Sequence, residues 1–202
     1  MKPEEIEQES MKTIRSEMGE WRGREEELPV VMRVIHATAD FDFRDNMRFS
    51  DKAVELARMA LKFGCTLVTD TKMAAAGINR NACARFGVNV VCRMSDPDIR
   101  EAAQARGVTR AVVSVEEAVR QTPEAVFAVG NAPTALIRLC ELIDEGRARP
   151  KLVIGVPVGF VNVIESKERL LRTQVPYIAA LGRKGGSTVA CAIVNALLYG
   201  ID

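Results

Sequence analysis

The sequence predicts a single α/β domain, a three-layer sandwich on a mainly parallel sheet, and three observations carry that reading. From Cys65 onward short continuous apolar runs recur: TLVTD, VNVVCR, AVFAVG, LVIGVPVG and YIAALG. Each run ends in a polar or glycine-rich turn, and each turn leads into a stretch of helical periodicity. Continuous runs, as opposed to alternating ones, suit strands buried on both faces, so helices should cover both sides of the sheet. The pattern carries no strand order.

Composition agrees. The chain has 202 residues, with 28 Lys and Arg against 27 Asp and Glu, for a formal net charge of +1. Hydrophobic residues make up 48% and charged residues 27%, which excludes a disordered or collagen-like chain. A domain of this length buries roughly 70% of its unfolded surface. Balanced charge argues against nucleic acid as a partner, because neutralising a phosphate backbone takes an excess of Lys and Arg. The longest nearly uncharged stretch, residues 152–164, is broken by Gly155, Pro157 and Gly159. It falls short of the roughly 20 apolar residues of a spanning helix, so no membrane partner is expected. The opening MKPEEIEQES is acidic and polar, unlike a secretory or transit peptide. Five scattered cysteines without a CxxC pair fit reduced core thiols in the cytoplasm, not a disulfide frame or a zinc site. No linker, low-complexity tract or fixed-period repeat divides residues 1–202.

The first segment reads as a helix. Pro3, Glu4 and Glu5 are favourable in a first turn, and Ile6, Ile14 and Met18 share one face. A second helix is expected over residues 29–38, where Val30 pairs with Val34 and Val31 with Ile35 at helical spacing. A strand through VVMRVI is the alternative, because β-branched residues dominate there. The helical reading gives an N-terminal helical segment over residues 3–38. Downstream helices are expected within 73–86 and at 96–105, 133–145, 165–173 and 187–199.

Ligands of open α/β sheets bind at the carboxyl ends of the strands. Three strand-to-helix turns are rich in Gly and Pro: GNAPT (130–134), GVPVGF (155–160) and GRKGGS (182–187). Together they are expected to form a floor for a carboxylate or a phosphate. None matches GxGxxG, and the lysine of GRKGGS precedes its glycine pair, so no nucleotide cofactor is indicated. His36 is the one histidine, which excludes a His-cluster metal site and any mechanism needing two imidazoles. It reads either as a satisfied boundary residue or as a general acid–base group. On a helix Arg33, His36 and Asp40 project from one side, and Asp40 or Asp42 could hold the ring. Ser10, inside the apolar stripe, is either back-bonded or aimed at a ligand. Arg110, just before Val112 and Val113, reads as a guanidinium at a sheet edge, a carboxylate clamp or a surface ion pair. Asn79 in GINR is a turn residue or a ligand contact.

Six blocks, in order, resemble the precorrin-8 methylmutase family of corrin biosynthesis. They are RVIHATADFDF (33–43), TDTKMAAAGINR (69–80), GVTR (107–110), GNAPTAL (130–136), GVPVGFVNVIESK (155–167) and GRKGGSTVACAIVNALLYG (182–200). The resemblance covers nearly the whole chain. It implies an isomerase that moves a methyl group from carbon 11 to carbon 12 of precorrin-8, giving the cobyrinate skeleton. It implies His36 as proton donor and acceptor, and Ser10, Arg33, Asn79 and Arg110 as substrate contacts. At Asn79 the metal-free branch usually has threonine, and Asn79, VIHATADFD and GRKGGS all lean towards the cobalt branch. No cofactor and no resident metal are implied, and the family's members are homodimers with the site near the interface. A carboxylate-rimmed macrocycle suits Arg clamps and helix N-termini. The rival classes are a nucleotide-dependent enzyme, which lacks its fingerprint here, and a non-catalytic tetrapyrrole carrier, which would need no acid.

Overall fold

The computed structural model describes residues 2–201. Met1 and Asp202, the ends of the expected domain, lie outside the described residues, as do the side chains of Pro3 and Glu4. Two helices lead the chain, α1 (Pro3–Glu17) and α2 (Leu28–Thr38). VVMRVI is therefore helical. Val30, Val31, Val34 and Ile35 are buried on one face, and packing of that face outweighs the strand preference of β-branched residues. Next come α3 (Phe43–Asn46), β1 (Met47–Phe49) and α4 (Ala53–Lys62). None of these three was expected. β1 is too short to show a period, and three of the five residues that α4 buries are alanines.

From Thr66 strands and helices alternate: β2 (Thr66–Thr69), α5 (Lys72–Gly77), α6 (Arg80–Phe86), β3 (Asn89–Val91), α7 (Pro97–Arg106) and α8 (Arg110–Gln121). They continue as β4 (Val126–Val129), α9 (Pro133–Asp144), β5 (Leu152–Gly155), α10 (Val163–Leu171), β6 (Tyr177–Ala180) and α11 (Ser187–Tyr199). The sheet order is β1-β6-β5-β4-β2-β3, and only β1 is antiparallel, to β6. Every residue of the central strands β4 and β5 is buried, as their continuous apolar runs require.

Alternate residues of each strand serve opposite layers. Leu67, Val126, Ile154 and Ile178 join α1, α2, α4, α6 and α11 in one core. Val68, Phe127, Val153 and Ala179 join α8, α9 and α10 in the other. The result is one domain of three layers. All five cysteines are free, and burial pushes the Cys140 thiol up to about 12. Among the described residues no helix is long and apolar enough to cross a membrane.

Candidate active site

α1 lies against α2, and between them opens a cleft of about 400 Å³ lined by Ser10, Thr13, Ile14, Ile35, His36 and Phe41 among others. His36 occupies the last turn of α2 because the core takes the face that carries Val31, Val34 and Ile35. The helix stops one turn later at Ala39, which is left-handed with φ 53°, and whose N–H donates to the Ile35 carbonyl at 2.7 Å. The imidazole is exposed and makes no hydrogen bond among the described residues. Ile6, on the same face as Ile14 and Met18, is 52% exposed and forms part of the cleft rim. Ser10 is back-bonded, its hydroxyl donating to the Ile6 carbonyl at 2.9 Å, and it also faces the cleft.

Asp40 and Asp42 do not hold the ring. Both accept from the Lys184 ammonium, each at 2.6 Å, and this partner keeps the Asp40 carboxyl below its ordinary value. Asp40 has left the helix, so the spacing that would align it with Arg33 and His36 does not apply. The aspartates instead fasten the end of α2 to the turn between β6 and α11.

Arg33 lies one helical turn before His36. Its Nη1 pairs with Glu7 of α1 at 2.6 Å, and its guanidinium carbon stands 5.1 Å from the centroid of the Tyr199 ring. Asn79 caps α6, its Oδ1 accepting from the Ala82 N–H at 3.0 Å. Its Nδ2 donates to the Tyr199 hydroxyl at 3.0 Å. Behind it, the Asn79 N–H donates to Asn195 Oδ1 at 2.8 Å, and Asn195 Nδ2 donates to the Gly77 carbonyl at 2.9 Å. Sequence reading missed Asn195 and Tyr199. The available signal was two hydrogen-bonding residues four apart in the otherwise apolar C-terminal half of α11.

Arg110 lies on a helix, beside the segment that follows the edge strand β3. It opens α8, whose N-cap Thr109 accepts from the Val112 N–H at 3.3 Å, and its Nη1 donates to the Met94 carbonyl at 3.4 Å. α8 packs in the layer opposite α2, so Arg110 stands apart from the group formed by Ser10, Arg33, His36 and Asn79.

The three glycine-rich turns do meet, but they do not form the expected open anion floor. A Cβ on Gly130 would stand 2.8 Å from the Gly186 carbonyl oxygen, so the turns are in backbone contact. The N–H groups of Gly130, Asn131 and Ala132 already donate to the Asp70 carboxylate at 2.7–2.9 Å. Burial pushes that carboxyl up, against the pull of its three donors. On the other side the Lys167 ammonium donates to the carbonyls of Gly182 and Lys184 at 2.8 and 2.7 Å. Lys167 is 1% exposed, and burial lowers its pKa to about 8. The chain supplies its own ions to these turns. Among the described residues no three His, Cys, Asp or Glu side chains converge to hold a metal ion.

The family model described as Precorrin-8X methylmutase matches residues 5–200. The chain belongs to the precorrin-8X methylmutase family. It is similar to the cobalt-precorrin-8 methylmutase of Priestia megaterium, 42% identical, with 98% of this chain and 88% of that protein covered. It is also similar to the cobalt-precorrin-8 methylmutase of Salmonella typhimurium, 49% identical, with 84% of this chain and 80% of that protein covered. Among solved structures, the precorrin-8x methylmutase of Thermus thermophilus superposes with a TM-score of 0.87 at 42% identity, covering 96% of each chain. This methylmutase is accordingly an isomerase with the family's three-layer fold.

Proposed function

We propose that this methylmutase acts in cobalamin biosynthesis, moving a methyl group from carbon 11 to carbon 12 of cobalt-precorrin-8 or precorrin-8 to give the cobyrinate skeleton. The observation that carries the reading is His36. It is the chain's one histidine, exposed in the wall of a largely apolar cleft, without a hydrogen-bond partner among the described residues and one turn from Arg33. In the reaction the bond from methyl to carbon 11 breaks as the bond to carbon 12 forms. No atom is gained or lost, and the step calls for no oxidant, reductant or cofactor. His36 lends a proton to the conjugated macrocycle for the migration and takes one back afterwards. The cleft contributes by holding the ring in one conformation.

Ser10, Arg33, Asn79 and Arg110 serve as substrate contacts in this reading. Ser10 has committed its hydrogen to Ile6 and offers lone pairs to a ligand donor. Arg33 and Arg110 match the macrocycle's carboxylates. The enzyme works as a cytoplasmic homodimer, without nucleic acid or membrane. Supporting the dimer is the separation of Arg110 from His36 and the other three contacts, which a second copy would complement. Asn79 and the names of the two curated relatives favour the cobalt substrate.

Incubation with each form of precorrin-8, followed through visible absorbance, tests this. Both forms should convert to the rearranged chromophore. Conversion of neither would overturn the reading, and a cobalt form that binds without turnover would overturn the branch assignment.

A further inference from the structure

Arg33 and Asn79 come from different helices, yet one side chain touches both. The Tyr199 ring lies under the Arg33 guanidinium at 5.1 Å, and the Tyr199 hydroxyl accepts from Asn79 Nδ2 at 3.0 Å. Tyr199 is 50% exposed, so burial alone does not account for an aromatic residue there. Its backbone is firmly held. One turn earlier on α11, Asn195 grips the Gly77 carbonyl and the Asn79 N–H with the two ends of one amide. One helix, α11, therefore carries both the ring beneath Arg33 and the amide that holds the Asn79 backbone.

The hydrogen-bonding capacity left over here is informative. Asn79 has one N–H beyond the one given to Tyr199, the tyrosine keeps its own O–H, and Arg33 keeps the N–H groups not spent on Glu7. All of these are donors, and a row of donors recognises an acceptor-only group such as a carboxylate. We propose that Tyr199 is the positioning residue of this site, its ring setting the plane of the Arg33 guanidinium and its hydroxyl fixing the Asn79 amide, so that both meet one edge of a carboxylate-bearing ligand. The inference rests on the reading of Arg33 and Asn79 as substrate contacts. It adds the residue that makes them act as a pair.

The chemistry separates the two halves of the role. Tyr199→Phe keeps the ring under Arg33 and removes the acceptor for Asn79, whereas Tyr199→Leu removes both. Uniform binding lost from substrate and transition state raises KM and leaves kcat in place. For Tyr199→Phe, KM for precorrin-8 should rise about three- to tenfold, the effect of one hydrogen bond. Its kcat and thermal midpoint should stay near wild type, and Tyr199→Leu should raise KM further. Asn79→Ala added to Tyr199→Phe should cost much less than the product of the two single effects, because the amide is already unmoored. Unchanged KM in Tyr199→Phe, or fully multiplicative effects in the double variant, would overturn the positioning role. Wild-type protein assayed alongside separates the two ideas: no wild-type turnover rejects the functional reading and this inference with it, and normal wild-type turnover with an indifferent Tyr199→Phe rejects this inference alone.

Discussion

His36 faces the cleft because α2 commits Val31, Val34 and Ile35 to the core, which turns positions 33 and 36 outward. Its neighbours supply anchorage without supplying a partner: the carboxylates that might have bonded the ring are spent on Lys184. An exposed, unbonded side chain contributes little to stability, so its removal separates chemistry from folding. His36→Ala and His36→Asn should unfold at the wild-type temperature and still bind the corrinoid product. Turnover should fall by about 100- to 10,000-fold, the usual worth of a general acid, as followed by chromophore absorbance. Retention of more than about a tenth of wild-type turnover in either variant would mean that the proton comes from another group.

Lys167 shows how whole elements are joined at the carboxyl edge of the sheet. It rises from α10 into the turn between β6 and α11, bonds two carbonyls there, and so holds the backbone from which Lys184 reaches the end of α2. The His36 end of α2 is thereby braced by a buried cation two contacts away. Burial without a carboxylate lowers the Lys167 pKa from its ordinary 10.5 to about 8, so between these values the unfolded chain holds more protons than the folded one. Stability then rises with pH across that window, by at most about 1.4 kcal/mol per pH unit, and the neutral amine still has two N–H donors for the two carbonyls. Lys167→Met strands both carbonyls and should lower stability by about 1–3 kcal/mol. The gap between wild-type and variant thermal midpoints should widen from pH 8 to pH 10.5, and a constant gap would contradict this account.

Across the whole molecule, the group around His36 and the lone Arg110 belong to opposite helical layers. A homodimer would bring a second set of both to a ligand broader than one edge of a small domain. Sedimentation at micromolar concentration should give twice the 22.2 kDa of one chain, and a lone 22.2 kDa species would rule the dimer out. Product affinity should fall with added salt. Arg110→Ala should weaken it by about tenfold or more, as expected for one charge-assisted hydrogen bond, and titration with the product reads both effects.

What the sequence determined by itself follows from local period and composition. The five parallel strands, the buried stripe of α2 and most of the helices that cover the sheet declare themselves within windows of ten to fifteen residues, because burial on one face or two imposes its own spacing. The resemblance to the family's blocks, and no period, offered Arg33, His36, Asn79 and Arg110 as candidate site residues. α3 and β1 escaped for shortness and the alanine-rich α4 for faint hydrophobicity, and α8 was not expected either. Only the tertiary structure decided what each charged or polar group does. Asp40 was free to hold His36 until Lys184, 144 positions away, took it, and the open glycine turns were closed by Asp70 and Lys167. Tyr199 meets Asn79 across 120 positions. A hydrogen bond is decided by the atom that arrives within about 3 Å, and for pairs this far apart in sequence the fold delivers that atom.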